Sequence, residues 1–377
     1  MSTMALESTE KRTAFAHQAN RLAPLDGLRA IAIFWVTIYH YFDFWTPRGR
    51  GDALLPYGNL FFDVPMAATG WMGVSLFFMV SGFVILMTLQ RTTKLFAFAI
   101  RRIARIFPTL MLCGLITWLV TLAIGPAELQ RNTGEFLLSI FSLPPEHIGP
   151  LFGQHGWAWL DGAYWSLWVE LRFYAVIGVI YFTFRSAWIP VWFVFQAIAG
   201  ILMISMHLTG SYMLDRIGSL MFFEYVPLFS IGVIAYLMYS RDHIAEWMKW
   251  ALAISVIHAS LNALVFKPIY AVDLTYIVSH FLMLGLFFAA FVTPAIQTAL
   301  SWTPLVKIGR ASYSFYLLHQ VLGISVLYGF AQVLPAWAIP TLALPLTLVG
   351  LVALSLLIYD RYEQPLNRYI VRRYARS

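Results

Sequence analysis

The chain has 377 residues, of which 60% are hydrophobic, 17% aromatic and only 11% charged. A soluble domain carries about 25% charged residues, so a water-covered globule is excluded and an all-α, polytopic membrane bundle is indicated. The net charge of +7 does not point to nucleic acid, because the basic residues sit at the ends of apolar runs and form no stripe interleaved with aromatics.

Residues 1–24 read as a polar tail. The apolar stretch after them is longer than a signal-peptide core and is followed by no small-residue cleavage site, which predicts a retained first span. Runs of roughly 17–25 mostly apolar residues can cross a bilayer as helices. Ten are predicted, at 25–43, 71–89, 106–125, 164–184, 187–207, 218–239, 248–266, 274–294, 311–333 and 338–360. The chain thereby divides into the tail 1–24, a transmembrane domain at 25–360 and a second tail at 361–377. There is no internal repeat and no linker. Ten spans put both termini on one side of the membrane. Eighteen of the 25 Lys and Arg residues then fall on that side and five on the other, which makes both termini cytoplasmic. The longest loops, 44–70 and 126–163, are external, and the second is read as a lid over the bundle. The single cysteine, Cys113, allows no intramolecular disulfide and no Cys-rich metal site.

In the first span, "RAIAIFWVTIYH" sets Arg29 eleven positions before His40. Eleven steps of 100° make three turns plus about 20°, so the two side chains share a helix face about 16 Å apart along the axis. Ionisable residues in a span usually face a cavity or the bundle interior, and a cavity running between them is expected. Taken singly, Arg29 also fits a snorkelling residue and His40 an interfacial one.

The stretch "KLFAFAIRRIARIFP" precedes the third span and is predicted as an interfacial amphipathic helix. Phe96, Ile100, Ile103 and Phe107 form its apolar stripe, with Arg101, Arg102 and Arg105 largely away from it. Arginines one turn apart suit a phosphate; they also suit topology-setting and lipid headgroups.

In "YWSLWVELRFY", Ser166, Glu170 and Tyr174 fall at i, i+4 and i+8 on one face of the fourth span. Glu170 and His40 are expected at similar depth, where a carboxylate could orient an imidazole for general-base work. An ion pair of Glu170 with Arg172 or Arg29 fits the spacing nearly as well. In the ninth span, "KIGRASYSFYLLHQ" puts Ser312, Tyr316 and His319 on one face, which fits either the same cavity wall or ordinary interhelical hydrogen bonding. No phosphate-binding loop, GxSxG, HExxH or Rossmann glycine pattern is present.

The blocks "LDGLRAIAIFWVTIYH", "GVSLFFMVSGFVI", "RRIARIFP", "WSLWVELRFY", "IGRASYSFYLLH" and "YEQPLNRYI", in this order, resemble the acyltransferase type-three family of membrane-bound O-acyltransferases. The resemblance covers about 25–365. It implies transfer of an acyl group, usually acetyl, from cytoplasmic acyl-CoA to a hydroxyl of a glycan, lipid-linked sugar or glycoside, with no metal. On that reading Arg29, Arg101, Arg102 and Arg105 hold the phosphates of coenzyme A. The pantetheine arm runs up the cavity toward His40, which acts as general base with Glu170 orienting it. Ser81, Trp165, Ser166, Tyr313, Tyr316 and His319 are supporting residues, with Ser166, Tyr316 or the Trp165 indole as oxyanion donors. Direct attack and an acyl-His40 intermediate both stay open. With no fused esterase-like domain, the chain resembles the stand-alone kind that modifies O-antigen, exopolysaccharide, nodulation-type glycolipids or macrolides. Its expected home is a bacterial inner membrane. The rival from another class is a proton-coupled transporter or flippase, which would call for repeats or paired broken helices.

Overall fold

The first expected span forms a helix at 23–39 (α1), which loosens into a π turn over His40–Phe44. The fold comes from a computed structural model that describes residues 23–375 except 242, 267, 269 and 270; most of the expected first tail (1–22) and the last two residues lie outside the described residues. Further helices are α2 (Met72–Gln90), α3 (Leu95–Ile124), α4 (Trp165–Phe184), α5 (Trp188–Thr209), α6 (Val226–Tyr239), α7 (Glu246–Leu261) and α8 (Leu274–Val292). They are followed by α9 (Ser312–Leu318), α10 (Val321–Ala331), α11 (Leu344–Ile358) and α12 (Gln364–Tyr374), with short helices in the connections. No strand occurs among the described residues.

By length and apolarity, six helical runs are able to cross a membrane, or seven when the bent pair α9 and α10 counts as one span. The expected count of ten is not established by that measure. One of the six runs, Gly162–Thr209, has 48 residues and covers two expected spans. It folds back on itself: Arg185 takes φ 44°, and Phe173 of α4 packs on Trp192 of α5 with ring centroids 5.7 Å apart. Those positions would be about 28 Å apart on a straight helix. Two other expected spans do not pass. Around 25–43, α1 carries Asp26 and Arg29, and 218–239 is divided between the short helix Tyr212–Leu220 and the 14-residue α6.

The centre of the bundle is α2, with 78% of its apolar window buried. It lies against α6 with backbones in contact. A Cβ on Gly232 would come 1.9 Å from the Met79 carbonyl oxygen, and one on Gly82 would come 2.2 Å from that of Phe229. Small residues of this kind let membrane helices approach closely and gain dispersion contacts. Gly232→Ala is therefore expected to cost about 1–3 kcal/mol through forced separation. Its thermal unfolding should shift downward, whereas Gly285→Ala, with nothing within 4 Å of the new methyl, should not move it.

The amphipathic stretch before the third span is not a separate interfacial helix. α3 runs unbroken for 30 residues through Pro108, about 45 Å against a hydrocarbon core of about 30 Å. Its stripe points away from the protein, with Phe96 69% and Ile103 47% exposed, and Arg101, Arg102 and Arg105 turn inward. The ninth expected span is broken: α9 and α10 meet at 50° across His319 and Gln320. The segment after the last span is helical too, since α12 follows a π turn at Tyr359–Glu363 and packs beside the start of α3.

Candidate active site

A cavity of about 940 Å³ opens between α1, α2, α3, α4, α9 and α12. One end of it is crowded with cations: Arg29, Arg91, Arg101, Arg102, Arg105 and Arg310 all line it, against the carboxylates of Asp26 and Glu170. Asp26 is shared between Arg29 at 3.5 Å and Arg310 at 3.2 Å. Arg105 pairs with Glu363, whose second oxygen accepts from the Ser314 hydroxyl at 2.6 Å. Tyr313 lies under the Arg105 guanidinium at 5.5 Å and donates its hydroxyl to the Ile106 carbonyl. Arg102 stands over the Tyr174 ring at 5.7 Å. The Nε atoms of Arg101 and Arg102 are buried with no hydrogen-bond partner among the described residues. Six guanidiniums line the cavity against the carboxylates of Asp26 and Glu170, with Glu363 on Arg105, and the orphaned donors among them suit an anion.

Along the wall, Ser166, Glu170 and Tyr174 line the cavity together, as their helical spacing requires. Glu170 accepts from the Ser81 hydroxyl at 2.6 Å and from the Tyr174 hydroxyl. The end opposite the arginines is closed by Ser166 and Tyr316, whose hydroxyls meet at 2.7 Å; Tyr316 also donates to the Ala163 carbonyl at 2.9 Å.

Behind Tyr316 lies a pair of histidines. The Tyr316 ring is 5.5 Å from that of His319, and Nε2 of His319 is 3.0 Å from Nδ1 of His40. The surrounding carbonyls decide the tautomers. Nδ1 of His319 lies 2.8 Å from the Tyr316 carbonyl oxygen and must carry a proton, so its Nε2 is an acceptor. Nδ1 of His40 lies 3.0 Å from the Val36 carbonyl oxygen as well, and donates to both. The lone pair of His40 Nε2 is left uncommitted, and no hydrogen bond to it occurs among the described residues.

Two sequence expectations change here. Arg29 lines the cavity but His40 does not, because α9 brings Tyr316 and His319 against this face of α1. Glu170 does not bond His40: its Oε1 accepts from both Ser81 and Tyr174, and the imidazole partner is His319. Neither of the alternative ion pairs forms. Arg172 turns out of the bundle, over Trp168 and onto the carbonyls of Ser219 and Leu220. Trp165 is also off the cavity wall, packed on Phe78 and Tyr225. Sequence reasoning passed over Asp26, Arg310 and Glu363, although all three stand inside quoted family blocks. It also missed Asp161, a fully buried carboxylate in the loop before α4. A buried acid in a Gly- and Trp-rich loop carries no periodicity to betray it.

The chain matches the family described as "Acyltransferase domain" over residues 22–360. Among curated proteins it is similar to Nodulation protein 10 of Rhizobium leguminosarum bv. viciae, 24% identical over 265 residues that cover 63% of this chain and 68% of that protein. No solved structure matches it. With the match spanning α1 to the end of α11, and apolar helices enclosing the cavity throughout, the protein belongs to this family of acyltransferases and is a membrane protein.

Proposed function

We propose that the protein is an acyl-CoA-dependent O-acyltransferase. It moves an acyl group, acetyl in the simplest case, to a hydroxyl of a glycan, lipid-linked sugar or glycoside at the external face of a bacterial inner membrane, with both termini cytoplasmic. The observation that carries this reading is the cavity itself. It joins a cluster of six arginines to a hydroxyl-lined wall with an uncommitted imidazole behind it.

The residues present fit the donor. Arg29, Arg101, Arg102 and Arg105 would hold its phosphates through charge-assisted hydrogen bonds, and the orphaned Nε atoms of Arg101 and Arg102 are donors in want of an acceptor. The volume suits a small-molecule site. Bound there, the donor supplies a thioester carbonyl activated toward attack. His40 Nε2 takes the proton of the acceptor hydroxyl as the hydroxyl oxygen attacks the thioester carbonyl. The C–S bond then breaks, and the imidazolium returns the proton to the departing CoA sulfur, which leaves as the thiol. His319 Nε2 holds the Nδ1 proton of His40 and steadies the imidazolium, the part sequence reasoning gave to Glu170. The Ser166 and Tyr316 hydroxyls are the nearest donors for the developing oxyanion. Because Tyr316 stands between the cavity and the histidines, its ring must move for transfer to occur.

The test is saturable binding of radiolabelled acetyl-CoA to purified protein in lipid nanodiscs, followed by label transfer to a bacterial glycan fraction. Binding competed by free CoA, with label appearing on the glycan, is the expected result. Absence of binding removes the donor assignment, and glycan movement across closed vesicles reconstituted with the protein, without acylation, would favour the transporter.

A further inference from the structure

The break between α9 and α10 is held open by side chains from elsewhere in the fold. In an unbroken α-helix the carbonyls of Tyr316, Leu317 and His319 would accept from N–H groups four residues on. Here each accepts from a side chain. His319 uses its own Nδ1 on Tyr316, the Tyr164 hydroxyl donates to Leu317 at 3.1 Å, and the Tyr41 hydroxyl donates to His319 at 2.5 Å. On the other side of the break, the Val321 N–H donates to Asp161 Oδ2 at 3.0 Å, while Oδ1 of the same carboxylate takes the Ala163 N–H at 2.8 Å. Tyr41, Tyr164 and Asp161 are each 0% exposed. Gly323 makes room for one of them, since a Cβ there would lie 1.7 Å from the Tyr41 hydroxyl oxygen. Broken helices persist at membrane depth only where the freed backbone groups are satisfied in this way.

We propose that Asp161, Tyr41 and Tyr164 are positioning residues, clamping the break at His319–Gln320 so that the His319 imidazole is held against His40. The loop before α4 and the π turn after α1 thereby meet at one backbone irregularity. The imidazole that results is fixed twice, through its own carbonyl and through the amide two residues on. This role rests on the reading of His40 as the base.

The test uses the full chain in nanodiscs, with amide hydrogen exchange over 317–325 read alongside kcat and the donor KM. Asp161→Asn keeps the shape but sets an amide N–H₂ against one of the two backbone N–H groups. It is expected to raise exchange at 320–324 tenfold or more and to lower kcat tenfold or more, with donor KM within twofold. Tyr41→Phe, which removes one hydroxyl from an otherwise intact core, should shift both in the same direction by less. In a His319→Ala background Asp161→Asn should lower kcat no further, because the two act through one group. An unchanged exchange pattern in Asp161→Asn overturns the clamp. Raised exchange with wild-type kcat, or an equal loss of kcat with and without His319, overturns the positioning role. Wild-type kcat in His40→Ala would instead remove the base assignment, and the exchange measurement, which needs no turnover, would still decide whether the clamp exists.

Discussion

Replacing His40 by alanine is expected to lower kcat by a factor on the order of 10²–10⁴, the usual contribution of a positioned general base, with donor binding unchanged. The separation follows from position. His40 is buried behind Tyr316 and outside the lining of the cavity, so its loss leaves the arginine end untouched. His319→Ala should fall between His40→Ala and wild type, since it removes the acceptor of the His40 Nδ1 proton but not the base. Glu170→Gln should cost less than either, because Glu170 bonds Ser81 and Tyr174 and not an imidazole. Initial rates at saturating donor, with equilibrium binding of labelled donor measured on the same preparations, check all three. A Glu170→Gln loss matching that of His40→Ala would return the orienting role to the carboxylate.

Arg105→Ala is expected to do two things at once. It removes a charge-assisted hydrogen bond to the donor, worth about 1.5–3 kcal/mol, which corresponds to a rise in donor Kd of about 10–150-fold. It also strands Glu363, whose side chain is 1% exposed. Breaking a buried pair costs about 3–5 kcal/mol; Arg105 itself is 30% exposed, so the lower end applies. Arg102→Ala, with no carboxylate partner of this kind, should raise the donor Kd similarly with little change in unfolding temperature. Adding Glu363→Gln to Arg105→Ala should recover stability and leave affinity low. Donor titrations and thermal unfolding in the same detergent separate the two effects. Equal stability of the Arg102 and Arg105 variants would mean that the Glu363 pair contributes nothing to the fold.

Helical periodicity read well wherever one helix supplied the whole relation. Ser166, Glu170 and Tyr174 were placed on one face by spacing alone, and all three line the cavity. The inward arginines of α3 were legible as a cluster set away from an apolar stripe. Their direction was not, because a basic helix face serves headgroups or a cavity equally well until a neighbouring helix covers one side of it. Arg29 and His40 show the limit along one continuous stretch: ideal spacing puts them on one face, but His40 falls in the π turn after α1, and only Arg29 borders the cavity.

By itself, the sequence determined the membrane class, the all-helical fold, most of the apolar runs and, through its ordered blocks, the acyltransferase family. Those properties follow from composition and from contacts within a few turns. Only the tertiary structure decided the partners. His40 meets His319 from 279 positions away, Arg105 meets Glu363 from 258 and Asp161 meets Val321 from 160. The break at His319 was equally hidden, for the stretch has no proline or glycine at that point and reads as continuous helix. It stays broken because three carbonyls and one N–H find better-placed partners on other elements than on their own helix, a balance set by packing and not by local preference.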